Sequence, residues 1–191
     1  MARLVVGLGN PGRRYARTRH NVGFRVLERL AERWGVALAR RRFEGLYAVA
    51  ATPQGQVVLL APQTYMNESG RAVAAYARYY KVEPAQTLVV SDDIALPFGT
   101  LRLRAAGSAG GQKGLASVIA ALGTEAFPRL RIGIGAPPPP MEAADYVLAP
   151  FAEEEERLLP EVIERAADCV QCWLAEGIDR AMSRFNAAPP A

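Results

Sequence analysis

Short apolar runs alternate with segments of helical periodicity along this chain, and that alternation restricts it to a sheet covered by helices. Arg3 to Leu8 is an apolar run followed by a Pro-Gly turn and predicts a buried first strand. Val22, Val26, Leu27, Leu30, Ala31 and Trp34 recur at helical spacing and predict a first amphipathic helix. Phe43 to Ala51 and Gln56 to Ala61, separated by Thr52-Pro53-Gln54-Gly55, predict two strands joined by a turn. Pro62 to Asn67 reads as a polar loop, and Ser69 is placed to cap a helix running through Ala72 to Lys81. Thr87 to Val90 predicts a strand ending in Asp92-Asp93. Thr100 to Arg104 and Arg129 to Ile134 alternate apolar residues with arginines, as strands do. Between them the glycine-rich loop Gly107 to Gly114 opens a helix near Leu115, and a long helix from about Ala152 to Glu176 and a short one from about Asp179 follow. The expectation is α/β: a single three-layer domain over residues 1–191, with a mixed, twisted central sheet flanked by helices. The hairpin is what makes the sheet mixed.

Charge narrows the partners. Lys and Arg number 23 against 19 Asp and Glu, a net charge of +4 with pI near 9.3, which suits a polyanion. Glu153 to Glu156 sit in the expected first turn of the late helix, where they complement its dipole and leave the rest of the chain more basic. No apolar run approaches the roughly 20 residues that span a bilayer, so no membrane partner is expected. Cys169 and Cys172 form no disulfide framework and agree with a reducing, cytoplasmic location.

Gly7-x-Gly9-x-x-Gly12 after a strand matches the letters of the dinucleotide fingerprint. Its context is wrong, because Pro11-Gly12-Arg13-Arg14 reads as a turn and the periodic helix begins only near Asn21. No cofactor is expected. Cys169-x-x-Cys172 lies mid-helix among apolar residues, with no second pair to complete a zinc site, and reads as core. Asp92-Asp93 could contribute to a magnesium site, although two neighbouring carboxylates alone are a weak signal for one. His20, the single histidine, is the one side chain whose ordinary pKa lies near neutrality, and it follows a polar stretch at the carboxyl end of a strand. Tyr65-Met66-Asn67 and Asp92, each after another strand, can converge on it as a polar pocket. The arginines at 102, 104, 129 and 131 admit two readings: solvated strand faces, or a phosphate site beside the glycine-rich loop, which Lys113 favours.

Taken together, Val6-Gly7-Leu8-Gly9-Asn10-Pro11-Gly12, Tyr15, Thr18-Arg19-His20-Asn21-Val22-Gly23-Phe24, Pro62 to Gly70, Asp92-Asp93, Leu96-Pro97 and Leu130 to Gly135 closely resemble the bacterial peptidyl-tRNA hydrolases. The resemblance covers nearly the whole chain in order. It implies a monomeric, metal-independent esterase that recycles peptidyl-tRNA released from stalled ribosomes, by cleaving the ester to the terminal ribose. It further implies His20 as general base on water, Asp92 orienting the imidazole, and Asn10 hydrogen-bonding the substrate. Asn67 would hold a carbonyl or the water, Tyr15 and Tyr65 would pack on the acceptor end, and Arg104 and Arg131 would clamp the 5′ phosphate. One departure is evident: the family's usual Gly-Gly-His-Asn-Gly is here Gly110-Gly111-Gln112-Lys113-Gly114, and the role of the asparagine is not carried over to Lys113. The alternative is a non-catalytic RNA- or protein-binding module of the same fold. A general serine esterase is disfavoured by the lack of a Gly-x-Ser-x-Gly elbow.

Overall fold

A computed structural model describes residues 1–186; the last residues of the expected domain, 187–191, lie outside the described residues. In chain order the elements are β1 (Arg3–Gly7), α1 (Val22–Arg33), β2 (Arg40–Arg42), β3 (Gly45–Thr52), β4 (Gly55–Pro62), α2 (Ser69–Tyr80), β5 (Thr87–Asp93), β6 (Leu101–Arg104), α3 (Lys113–Leu122), β7 (Arg129–Gly133), α4 (Ala143–Val147), α5 (Glu153–Glu176) and α6 (Ile178–Phe185). The seven strands form one sheet in the order β2-β3-β4-β1-β5-β7-β6. β4, β1, β5 and β7 run parallel, whereas β2 and β3 at one edge and β6 at the other pair antiparallel. The sheet is therefore mixed, as expected.

Strand alternation splits the apolar residues into two cores. Val5 of β1, Val57 and Leu59 of β4, Leu88 and Val90 of β5 and Leu130 and Ile132 of β7 face the layer of α1, α5 and α6. Leu4, Val6, Val58, Leu60 and Val89 face the opposite layer, with Val73 and Tyr76 of α2 and Leu115 and Val118 of α3. Both cysteines are buried in α5, and burial pushes the Cys169 thiol up to about 12, so it packs as an inert apolar group.

The chain passes from β1 to β4 on one side and then crosses back to β5 on the other. That reversal opens a crevice at the carboxyl ends of β1, β4 and β5, where open α/β sheets place their sites. Two glycines let α1 descend onto this point. A Cβ on Gly23 would lie 2.7 Å from Leu8 N and from Val90 O, and a Cβ on Gly7 would strike the Gly23 backbone. Both must remain glycine for the start of α1 to touch β1 and β5.

Several local expectations are corrected. Ser69 does not cap α2: it is the first helical residue, and its Oγ donates to Met66 O at 2.7 Å within a 3-10 turn, Met66–Glu68. α3 starts at Lys113 rather than near Leu115, because Gln112 accepts the Leu115 N–H as its N-cap. β2 carries three exposed arginines without apolar alternation, and α4 has five residues, too few for a period to register.

Candidate active site

The side chains at the crevice surround a cleft of about 490 Å³. Its floor is a pair: His20 Nδ1 lies 2.8 Å from Asp92 Oδ2, with the two side chains 12% and 2% exposed. A carboxylate can only accept here, so Nδ1 carries the proton and Nε2 is left as a base. Asp92 comes from the end of β5, and its neighbour Asp93 also lines the cleft but is bound to other partners, accepting from Ala95 N at 2.8 Å and lying 3.7 Å from Arg131 Nη1. Among the described residues no group of three His, Cys, Asp or Glu side chains is arranged to hold a metal ion.

His20 occupies a 3-10 turn, Arg19–Asn21, between two buried anchors. Arg19 reaches away from the cleft: its guanidinium lies over the Tyr146 ring at 3.9 Å, donates to Tyr146 O at 3.3 Å and pairs with Glu155 at 3.1 Å. Asn21 reaches the other way and binds the backbone of Asn10 twice, accepting from its N–H and donating to its carbonyl, both at 2.9 Å. Glu155 and Glu156 thus serve more than the helix dipole. Glu156 also pairs with Arg25, whose hydrogen bonds hold its carboxyl below the usual carboxylate range.

Asn10 is buried, and its Oδ1 accepts from Met66 N at 2.7 Å, joining the loop after β1 to the turn after β4. That bond assigns the amide: Nδ2 is the end left for a ligand. Asn67, from the same turn, is exposed on the cleft wall. Tyr65 is 58% exposed on that wall, and Tyr15, outside it, packs edge-on against Tyr65 with centroids 6.5 Å apart.

The opposite wall is the loop Ala109 to Lys113, where Gly110 and Gly111 have φ of 58° and 84°. Arg131 lies on this wall and donates to Ser108 O at 2.6 Å. Arg104 is exposed and sits off the wall, diagonal to Arg131 across β6 and β7. Arg129 fits neither reading of the arginine face. It is fully buried and donates to Ser108, Glu125 and Phe127 carbonyls at 2.9–3.1 Å. Burial, with Arg131 beside it, lowers its guanidinium to about 10, still a cation at neutral pH.

Six of the eight predicted residues, Asn10, His20, Tyr65, Asn67, Asp92 and Arg131, therefore share the cleft, while Tyr15 and Arg104 stand at its margins. Sequence reasoning did not assign Gln112, which donates from Nε2 to Asp92 Oδ1 at 3.0 Å, nor Val147 of α4 and Leu148 just after it, which give the cleft an apolar side. A polar residue at the junction of a glycine loop and a helix was the available signal for Gln112.

The family described as peptidyl-tRNA hydrolase matches residues 4–191. A peptidyl-tRNA hydrolase of Chloroflexus aggregans is 55% identical over 184 residues, covering 96% of this chain and 98% of its own. Another, of Symbiobacterium thermophilum, is 54% identical over 188 residues, covering 97% of this chain and 100% of its own. The crystal structure of peptidyl-tRNA hydrolase from Acinetobacter baumannii superposes with a TM-score of 0.91 at 36% identity, over 100% of this chain and 97% of that one. Agreement in sequence and fold along nearly the full length leads to one conclusion: the chain belongs to the peptidyl-tRNA hydrolase family of ester hydrolases.

Proposed function

We propose that the cleft hydrolyses the ester between a peptide, or an N-blocked aminoacyl group, and the 3′-terminal ribose of tRNA, with His20 as general base. The observation that carries this reading is the His20–Asp92 pair at 2.8 Å, opening through Nε2 onto a cleft lined by amides and cations. Nε2 removes a proton from water as its oxygen attacks the ester carbonyl. The tetrahedral oxyanion then collapses, and the ribose oxygen leaves with the proton that the imidazolium returns. Asp92 orients the ring and stabilises the cation while remaining a carboxylate. Asn10 Nδ2 and the Asn67 amide are neutral donors suited to the substrate carbonyls, and they add no competing base.

Tyr65, exposed and braced by Tyr15, offers an aromatic face to an unpaired base of the acceptor end. Arg131 and Arg104 supply positive charge for the 5′ phosphate. In this reading residues 1–191 act as one domain and one monomer, without metal or cofactor, recycling peptidyl-tRNA from stalled ribosomes in the cytoplasm. Two free cysteines agree with a reducing compartment, and among the described residues no helix is long and apolar enough to cross a membrane.

The test is release of N-acetylated aminoacyl groups from tRNA by the native chain and by His20→Ala. Turnover that disappears with His20 while tRNA binding persists is expected. Equal loss of binding and turnover, or turnover that survives the substitution, would remove His20 from the role of base.

A further inference from the structure

We propose that Gln112 is a positioning residue for the His20–Asp92 pair: its carboxamide, fixed by the start of α3, aims the Asp92 carboxylate at the imidazole. The inference rests on the reading of His20 as the base. Three contacts define the amide. Oε1 accepts the Leu115 N–H at 2.7 Å, while Nε2 donates to Asp92 Oδ1 at 3.0 Å and lies 3.4 Å from Met66 Sδ. The opposite flip would set N–H against N–H at Leu115 and carbonyl oxygen against carboxylate at Asp92, so one orientation alone satisfies both neighbours.

The carboxylate is divided between two donors. Oδ2 takes the His20 Nδ1–H and Oδ1 takes the Gln112 Nε2–H. The terminal torsion of an aspartate is intrinsically broad, and any substantial rotation about it here breaks both bonds together. With Asp92 only 3% exposed, bulk water does not replace a lost donor. Gln112 therefore holds the plane in which Oδ2 meets Nδ1, and through it the tautomer that leaves Nε2 free for water. The amide does not titrate, so this support is constant with pH. It also ties the cationic loop to the base, because the residue that caps α3 is the one that holds Asp92.

His20 is the single histidine of the chain, so its ring 15N resonances report the tautomer without ambiguity. In the native chain the Nδ1–H tautomer is expected to dominate. Gln112→Met removes the donor and the cap. The population should move toward Nε2–H, with kcat for N-acetylated aminoacyl-tRNA falling on the order of 10-fold at unchanged KM. Gln112→Glu keeps the capping oxygen but sets a second carboxylate against Asp92. Its activity relative to the native chain should be low at neutral pH and rise on acidification, as a shared proton restores a donor. The native tautomer in both variants, or a kcat loss with no change in tautomer, would overturn the proposal. The spectrum needs no substrate, so a native chain that is inactive yet shows the Gln112-dependent tautomer would overturn the hydrolase reading while supporting the positioning role.

Discussion

The two walls of the cleft are built by different means. The wall of Asn10, His20 and Met66 is joined side chain to backbone across three segments, through Asn21 to Asn10 and Asn10 to Met66. The facing loop is held at its start through a backbone carbonyl, with Arg129 and Arg131 both donating to Ser108 O, and is tied to the catalytic pair only at its end, through Gln112. The difference follows from what each wall presents. Neutral amides and an imidazole act only in good alignment, so their placement must be tight to tenths of an ångström. Cations attract a phosphate over a distance that decays slowly, and they tolerate a wall that yields.

The comparison breaks most sharply at Gly23. A methyl group there meets two backbone atoms, Leu8 N and Val90 O, neither of which can swing aside. In Gly23→Ala, α1 must lift from β1 and β5 and carry the turn of His20 away from Asp92. Overpacking of this kind costs about 1–3 kcal/mol, and misplacement of the base should lower turnover roughly 100-fold. Chemical denaturation and turnover measure the two effects. Native activity in this variant would mean that the wall is not rigid.

Arg129 is the corresponding point in the opposite wall and should give a smaller, different effect. Arg129→Met takes the Arg129 donor from the Phe127 carbonyl, at roughly 1–3 kcal/mol if that carbonyl stays buried, while Ser108 O keeps Arg131 and Glu125 O keeps the Gly107 and Phe127 N–H groups. The loop can open to water, so a stability loss near the lower end of that range is expected. KM should rise while the rate at saturating substrate holds, because the His20–Asp92 pair does not depend on Arg129. Gln112 is fixed by the start of α3 rather than by Arg129, so a selective fall in kcat would show that Arg129 also acts on the alignment of Asp92.

The sequence carried unequal information about these walls. β1 was legible as a continuous apolar run ending in a turn, which suits a strand buried on both faces, and α1 because its apolar residues recur at helical spacing and leave little choice of face. His20, Asn10 and Asp92 were legible as strand-end polar residues that a core would not tolerate. Arg129 was misleading for the opposite reason. Its alternation with Leu130 matched a solvated face, yet the side chain turns back onto the carbonyls of Glu125 and Phe127 just before it and onto Ser108 O, 21 residues away in sequence. Gln112 and Arg19 likewise act on partners distant in sequence, and nothing in their local spelling names those partners.

The smallest effect belongs to Arg131, and it separates two tasks that one guanidinium carries. Arg131 donates to Ser108 O and also stands on the cleft wall, whereas Arg104 is exposed and bonds only the carbonyl of Leu103 among the described residues. If both contact the 5′ phosphate, Arg104→Gln and Arg131→Gln should each weaken tRNA binding and each lower the slope of log affinity against log salt by about 1. A purely electrostatic contribution fades as salt rises. The part of the Arg131→Gln loss that persists at high salt is then its grip on the loop, and Arg104→Gln should show no such remainder. Titration of tRNA by fluorescence anisotropy across salt concentrations reads both terms. A salt-independent loss in both variants would take the phosphate contact away from this pair and return the arginines to the solvated strand face.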